Sequence, residues 1–175
     1  NNLSYDNGGY NLNVSSWNTG WVQNNALIEN NTLYGGNGLF LGNPVNITNR
    51  NNIIWASGSG KVCIRAETPA LNVSDYNNLY ATDGASVGYW IGTQETLADW
   101  QYATKKDQAS FSASPSFADQ DGNDDVLGGT NAWDDNFHLT STAGSYTGLP
   151  FTATTTAGFE TNLTTSLCVD AGDPA

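Results

Sequence analysis

The densest chemistry in the chain is Asp119-Gln120-Asp121-Gly122-Asn123-Asp124-Asp125, followed within ten residues by Asp134-Asp135. Six of the 17 acidic residues fall within these 17 positions. Carboxylates gathered in one folded loop repel one another unless a cation neutralises them. Hard oxygen donors at alternate positions, with Gly at the tight turn, are what Ca²⁺ takes. The spacing predicts a Ca²⁺ loop with Asp119, Asp121, Asp124 and Asp134 as ligands and Asn123 and Asp125 next in line. Asp135 is either a further ligand or a support behind one. An EF-hand begins the same way, but no Glu stands at the twelfth position and no helices flank this loop. Phe117 and Phe137 bracket the segment, as apolar pins that close an Ω-like loop. The competing reading is a solvated acidic loop.

Other catalytic chemistry is sparse. A β-eliminating polysaccharide lyase needs a base beside a cation that neutralises the substrate carboxylate. Of the five Lys and Arg residues, Arg50, Lys61 and Arg65 lie in the repetitive first half. Lys61 and Arg65 flank one apolar run and are the only plausible basic pair. A glycoside hydrolase needs two or three neighbouring carboxylates. Glu67, Asp75 and Asp83 are the candidates there, and no Asp-Asp pair occurs in that half. His138 alternates with Phe137 and Leu139, which turns it outward, and a lone His is more often neither ligand nor base.

The elements that would position these groups come from a repeat. Asn1-Asn2-Leu3-Ser4-Tyr5, Asn30-Asn31-Thr32-Leu33-Tyr34, Asn51-Asn52-Ile53-Ile54-Trp55 and the shorter Asn77-Asn78-Leu79-Tyr80 follow one another at intervals of 29, 21 and 26 residues. A unit that short cannot bury its own apolar face and must stack on its neighbours. Each unit holds three short β-favouring runs, such as Ala26-Leu27-Ile28, Thr32-Leu33-Tyr34 and Leu39-Phe40-Leu41, separated by Asn and Gly. Runs this short pair with the equivalent run one layer away.

The pattern therefore predicts an all-β parallel β-helix with three short strands per coil. Asn suits its corners, because it tolerates left-handed angles and its amide can bond the same Asn one layer up. Aligning the Asn pairs sets Glu29, Arg50 and Tyr76 in one column, about 4.8 Å apart. Arg50 then has a structural partner in Glu29. Laid over each other without a gap, the first two units place Leu12 on Leu41, and two extra residues bring Val62 onto Leu39.

After Tyr80 the organisation changes. Thr96-Leu97-Ala98-Asp99-Trp100-Gln101-Tyr102-Ala103-Thr104 reads as a short helix capped by Thr96 and Asp99, with Leu97 and Trp100 on one face. Lys105 and Lys106 sit at its C-terminal end, where the helix dipole favours cations. The chain is thus expected to form one β-helix domain: coils over 1–92, the helix within 93–108, and the acidic loop with a capping region over 109–175.

Composition narrows the partners. The formal net charge of −12 repels phosphate backbones and anionic membrane surfaces, so nucleic acid is a poor partner and cations are good ones. No apolar run is long enough to span a membrane as a helix. Cys63 and Cys168 are compatible with an extracellular disulfide or with buried thiols. The six glycosylation sequons, at Asn2, Asn13, Asn30, Asn46, Asn72 and Asn162, barely exceed the roughly four that random placement gives. The chain opens inside a repeat, as a processed or excised segment would, and an open first layer calls for more coils or another subunit to cover it.

The Asn-Asn coils, Ser74-Asp75-Tyr76-Asn77-Asn78-Leu79-Tyr80, Leu97-Ala98-Asp99-Trp100-Gln101, Pro115-Ser116-Phe117, Asn136-Phe137-His138-Leu139 and Cys168-Val169-Asp170-Ala171-Gly172-Asp173-Pro174 together resemble the C-terminal half of right-handed parallel β-helix repeat proteins. That resemblance implies a right-handed coil in a secreted or surface protein, in a group that includes polysaccharide lyases and hydrolases. The expected function is a non-catalytic, Ca²⁺-stabilised extracellular scaffold, adhesin or filament subunit that stacks through its open coil. One alternative is part of a polysaccharide-active enzyme using Lys61 and Arg65. Another is a glycan-binding surface built from Tyr10, Trp17, Trp21, Tyr34, Trp55, Tyr89 and Trp90.

Overall fold

Asn30, Asn51 and Tyr76 all carry left-handed backbone angles (φ 58°, 57° and 55°), and each ends one strand and starts the turn into the next. The computed structural model in which this is seen describes residues 2–16, 22–67, 71–146, 159–160 and 162–172. Among the described residues twelve strands precede the helix: β1 (Leu3–Tyr5), β2 (Tyr10–Ser15), β3 (Leu27–Glu29), β4 (Thr32–Tyr34), β5 (Asn37–Gly42), β6 (Ile47–Arg50), β7 (Ile53–Ser57), β8 (Val62–Ala66), β9 (Leu71–Asp75), β10 (Asn78–Thr82), β11 (Ser86–Trp90) and β12 (Thr93–Gln94). They form three sheets of orders β1-β4-β7-β10, β2-β5-β8-β11-β12 and β3-β6-β9, parallel except for the antiparallel β12. The result is a β-solenoid of about three turns, as the repeat predicts.

Inward side chains repeat layer by layer. Leu33, Ile54 and Leu79 stack from one sheet and Leu39 and Ile64 from another, all almost fully buried. One Asn of each pair, the second in the first three layers and the first in Asn77-Asn78, forms a ladder through the coils. Asn2 Nδ2 donates to Asn31 Oδ1 (2.9 Å), Asn31 Nδ2 to Asn52 Oδ1 (3.0 Å) and Asn52 Nδ2 to Asn77 Oδ1 (3.2 Å). The ladder runs one way throughout. It ends on Asp107, whose carboxylate accepts from Asn77 Nδ2 (2.9 Å), Ser110 Oγ (2.7 Å) and Trp100 Nε1 (2.8 Å). Asp107 is fully buried, and three donors are what a carboxylate needs to remain there.

Two registers differ from the gapless alignment. Leu12 pairs with Leu39 rather than Leu41, and Leu39 pairs with Ile64 rather than Val62. The turns at 6–9, 35–36 and 58–61 differ in length by two residues. An even shift keeps every apolar side chain on its own face, so the hydrophobic pattern does not reveal it. In the fourth layer the shift is one residue. Asp75, not Tyr76, stands beside Arg50, because Asn77 is the ladder residue and Asn78 already belongs to β10.

The helix α1 (Leu97–Thr104) has the reciprocal Thr96–Asp99 capping box that the sequence predicts. Trp100 is fully buried and lies so close to Gly88 on β11 that a Cβ there would stand 2.3 Å from the ring. The segment after the helix continues the covering: Asp107 N donates to Ser74 O, Ala109 N to Asp75 Oδ1, and Phe111 bridges β10.

The chain divides into two compact units, residues 1–113 with 171–175, and residues 114–170. In the second, β13 (Phe117–Asp119) pairs antiparallel with β14 (Asn136–Leu139), and β15 (Ser145–Tyr146) with β16 (Phe159–Glu160).

Candidate functional site

In the second unit, β13 and β14 form the base of the acidic loop. Phe117 and Phe137 meet edge to face across it, with ring centroids 5.1 Å apart, so the expected apolar pins are in place. Between them lie two short 3-10 turns, over Gly122–Asp124 and Gly129–Asn131. Gly122 is buried with φ +62°, and a Cβ on it would stand 2.6 Å from the Asp134 carboxyl carbon. Only glycine allows this approach.

Asp134 is 7 % exposed, and its Oδ1 is buried with no hydrogen-bond partner. Burial, then the charges of Asp121, Asp125 and Asp134, push the Asp119 carboxyl above the usual carboxylate range, aided by a hydrogen bond with Asp121. Asp119 thus feels the charge of each of these three carboxylates. The remaining expected ligands differ. Asn123 and Asp124 are exposed, and Asp124 Oδ1 accepts from Val126 N (3.0 Å). Asp135 Oδ2 accepts from Gly128 N (2.8 Å), while its Oδ1 is also buried without a partner. Among the described residues no three acidic, His or Cys side chains already converge on one point as a preformed metal cage would. His138 is exposed, with Nδ1 2.7 Å from Asn136 Oδ1.

On the solenoid, Arg50 is ion-paired with Glu29, as the column alignment predicts. Arg65 donates twice to Glu67 Oε1 (3.1 and 3.0 Å) and lies over the Tyr89 ring, 4.8 Å from its centroid. It also interacts with Tyr10, whose phenol burial pushes above its ordinary value, the wrong direction for a base at neutral pH. Lys61 lies in the turn before β8, four residues from Arg65, which is about 13 Å along an extended chain. The two do not share one strand position.

Asp75 serves the end covering through Ala109. Asp83 accepts from Ser57 Oγ (2.6 Å), and Glu67 is occupied by Arg65. The three carboxylates proposed for hydrolysis thus stand in three separate local networks.

The aromatic side chains form two rows on the outside of the coils. Tyr5, Tyr34, Trp55 and Tyr80 are register neighbours. Tyr34 and Trp55 meet edge to face at 4.8 Å, Trp55 and Tyr80 at 5.0 Å, and Trp55 Nε1 donates to Thr82 Oγ1. Tyr10 and Phe40 lie 5.0 Å apart in the other row, which continues through Arg65 to Tyr89. Trp90 packs edge-on against the buried Trp100. Trp17 and Trp21 lie outside the described residues.

Tyr34 and Trp55 of the first row are among the aromatics expected to bind glycan, Tyr5 and Tyr80 are not, and yet the whole row is visible in the sequence. An aromatic residue stands three places after each ladder Asn: Tyr5, Tyr34, Trp55 and Tyr80 after Asn2, Asn31, Asn52 and Asn77. Asp107 carries no mark in its local sequence that shows it as the end of a ladder.

The thiol of Cys63 is buried and pushed up to about 12 by desolvation, and no disulfide joins it to Cys168 among the described residues. No described helix is long and apolar enough to cross a membrane. Comparison of the chain with family models, curated proteins and solved structures returned no match in any of the three. What the structure establishes is a parallel β-solenoid built from an Asn-centred repeat.

Proposed function

We propose that the chain is a non-catalytic structural module of the extracellular or cell-surface space, which stacks with further β-helix through its β1-β2-β3 coil. The observation that carries this reading is the asymmetry of the solenoid. At one end β9, β10 and β11 are covered by residues 93–113, through β12, α1, Asp107 and Phe111. At the other, among the described residues, β1, β2 and β3 are the terminal strands of all three sheets. Leu3 on β1 is 46 % exposed and Leu27 on β3 is 62 % exposed.

Open parallel edges carrying apolar side chains are templates for strand addition. The direction of the Asn ladder leaves its acceptor end at Asn2, so an added coil would supply an amide donor in the same sense. Either more coils of the same protein or a second subunit fits that description, and head-to-tail addition of subunits propagates into a filament.

A polysaccharide-active enzyme using Lys61 and Arg65 is the second reading, favoured only by the clustering of Arg65 with Tyr10, Phe40 and Tyr89 on an outer face. Unsaturated-uronate absorbance on a panel of acidic polysaccharides separates the two. Activity lost in Lys61→Ala and Arg65→Ala would replace the structural reading. Retention on a glycan array that survives both substitutions would instead favour the aromatic rows as a sugar-binding surface.

A further inference from the structure

The coil of β1, β2 and β3 has an incomplete core. Leu12 and Val14 head the columns Leu39-Ile64 and Leu41-Ala66, whose members are at most 1 % exposed, yet both are only partly buried. Its charge also sets it apart. In a chain of net charge −12, residues 1–29 carry only Asp6 and Glu29, and Glu29 is ion-paired with Arg50. Two such surfaces can meet without forcing carboxylates together.

The covered end does not offer a second copy the same welcome. Trp100 fills the space beside Gly88, Asp107 N donates to Ser74 O, Leu79 N donates to Phe111 O, and Phe111 N donates to Asn77 O. Beyond β11 stands only the two-residue, antiparallel β12, and so short an edge is a poor template. Head-to-tail addition would have to displace this covering.

We propose that the β1-β2-β3 coil pairs with the same coil of a second copy of this chain about a two-fold axis, and that the assembly closes at two. This rests on the reading of that coil as a stacking surface and names what stacks there. Two-fold contact sets the facing strands antiparallel. The six-residue β2 would pair with its own copy about Asn13, which puts Leu12 opposite Val14 of the second copy and keeps both on the inner face. The strands β1 and β3, three residues each, would meet β3 and β1 of the second copy.

The axis then passes through the corner between the sheets of β3 and β1, where the Asn ladder stands. Asn2 gives one Nδ2 hydrogen to Asn31. Its other hydrogen and its Oδ1 can bond reciprocally with Asn2 of the second copy. The two ladders would run outward from that pair, each to its own Asp107.

Asn13 and Thr93 supply the test. Both are exposed, and they lie in one register column, Asn13-Phe40-Arg65-Tyr89-Thr93, at the open and the covered end. In sedimentation velocity the mass of the unmodified chain should rise with concentration to twice the monomer and no further. In a Cys168→Ser background, where Cys63 stays buried, oxidation of Asn13→Cys should give a covalent dimer in most of the protein. Thr93→Cys should stay unlinked, and an equimolar mixture of the two variants should hold no mixed dimer. Growth beyond two copies, or a cross-link between positions 13 and 93, overturns the two-fold arrangement and leaves the stacking reading standing. An unmodified chain that dimerises while Asn13→Cys fails to cross-link overturns it as well. A monomer at every concentration removes both.

Discussion

Two residues show how the corners and edges of the coils are tuned. Tyr76 occupies the left-handed corner that Asn30 and Asn51 fill in the layers before it. Asn accepts that conformation more readily than an aromatic residue does. Tyr76→Asn is therefore expected to stabilise the chain by roughly 0.5–1 kcal/mol, read as a rise in the denaturant midpoint without a change in slope.

Asp83 is the second case. Hydrogen bonds from the Ser57 and Thr82 hydroxyls hold its carboxyl below the ordinary 3.8. A depressed folded-state value contributes stability above the unfolded-state pKa, which is lost as pH falls through the folded one. Ser57→Ala should move the Asp83 titration back toward 3.8, followed by carboxyl carbon shifts in NMR, and leave behaviour at neutral pH unchanged. The Glu29–Arg50 pair was legible from the sequence because both residues lie one place before an Asn corner. The third member of that column was not, because Asn77-Asn78 looks like a copy of Asn51-Asn52 while sitting one residue out of step.

At the scale of elements, the Asn ladder is what ties one coil to the next in the buried interior. The two Nδ2 hydrogens of Asn52 are shared among Ile28 O, Asn49 Oδ1, Arg50 O and Asn77 Oδ1, and its Oδ1 accepts from the main chain and side chain of Asn31. Asn52→Ala strands several of these groups away from water and should cost roughly 3 kcal/mol. Asn2→Ala, at the exposed end of the same ladder, should cost under about 1 kcal/mol, and urea unfolding of the two variants tests the gradient. Equal losses would show that the ladder is not the tie between layers.

Strand existence was readable because β-favouring runs recur in phase with Asn. Register was not, since turn lengths change by two residues without moving any side chain to the wrong face. The helix announced itself through Thr96 and Asp99. Its connection to the ladder, through Trp100 and Asp107, depends on a contact seven residues apart in sequence that no local pattern encodes.

At the scale of the whole molecule, the described residues show a solenoid closed by its own chain at one end and carrying three terminal strands at the other. The acidic loop was legible as a concentration of carboxylates, but the burial of Asp134 under Gly122 depends on how the loop folds back on itself. Whether the open end is a working surface decides the proposed role. The most direct measurement is sedimentation velocity of the full chain over a wide dilution series, repeated with Leu3→Lys and Leu27→Lys combined, which place charge on the terminal strands without touching the covered end. The structural account predicts a mass that rises with concentration in the unmodified chain and stays monomeric in the charged variant. A single monomeric species at every concentration, or association that the two lysines leave unchanged, would contradict it.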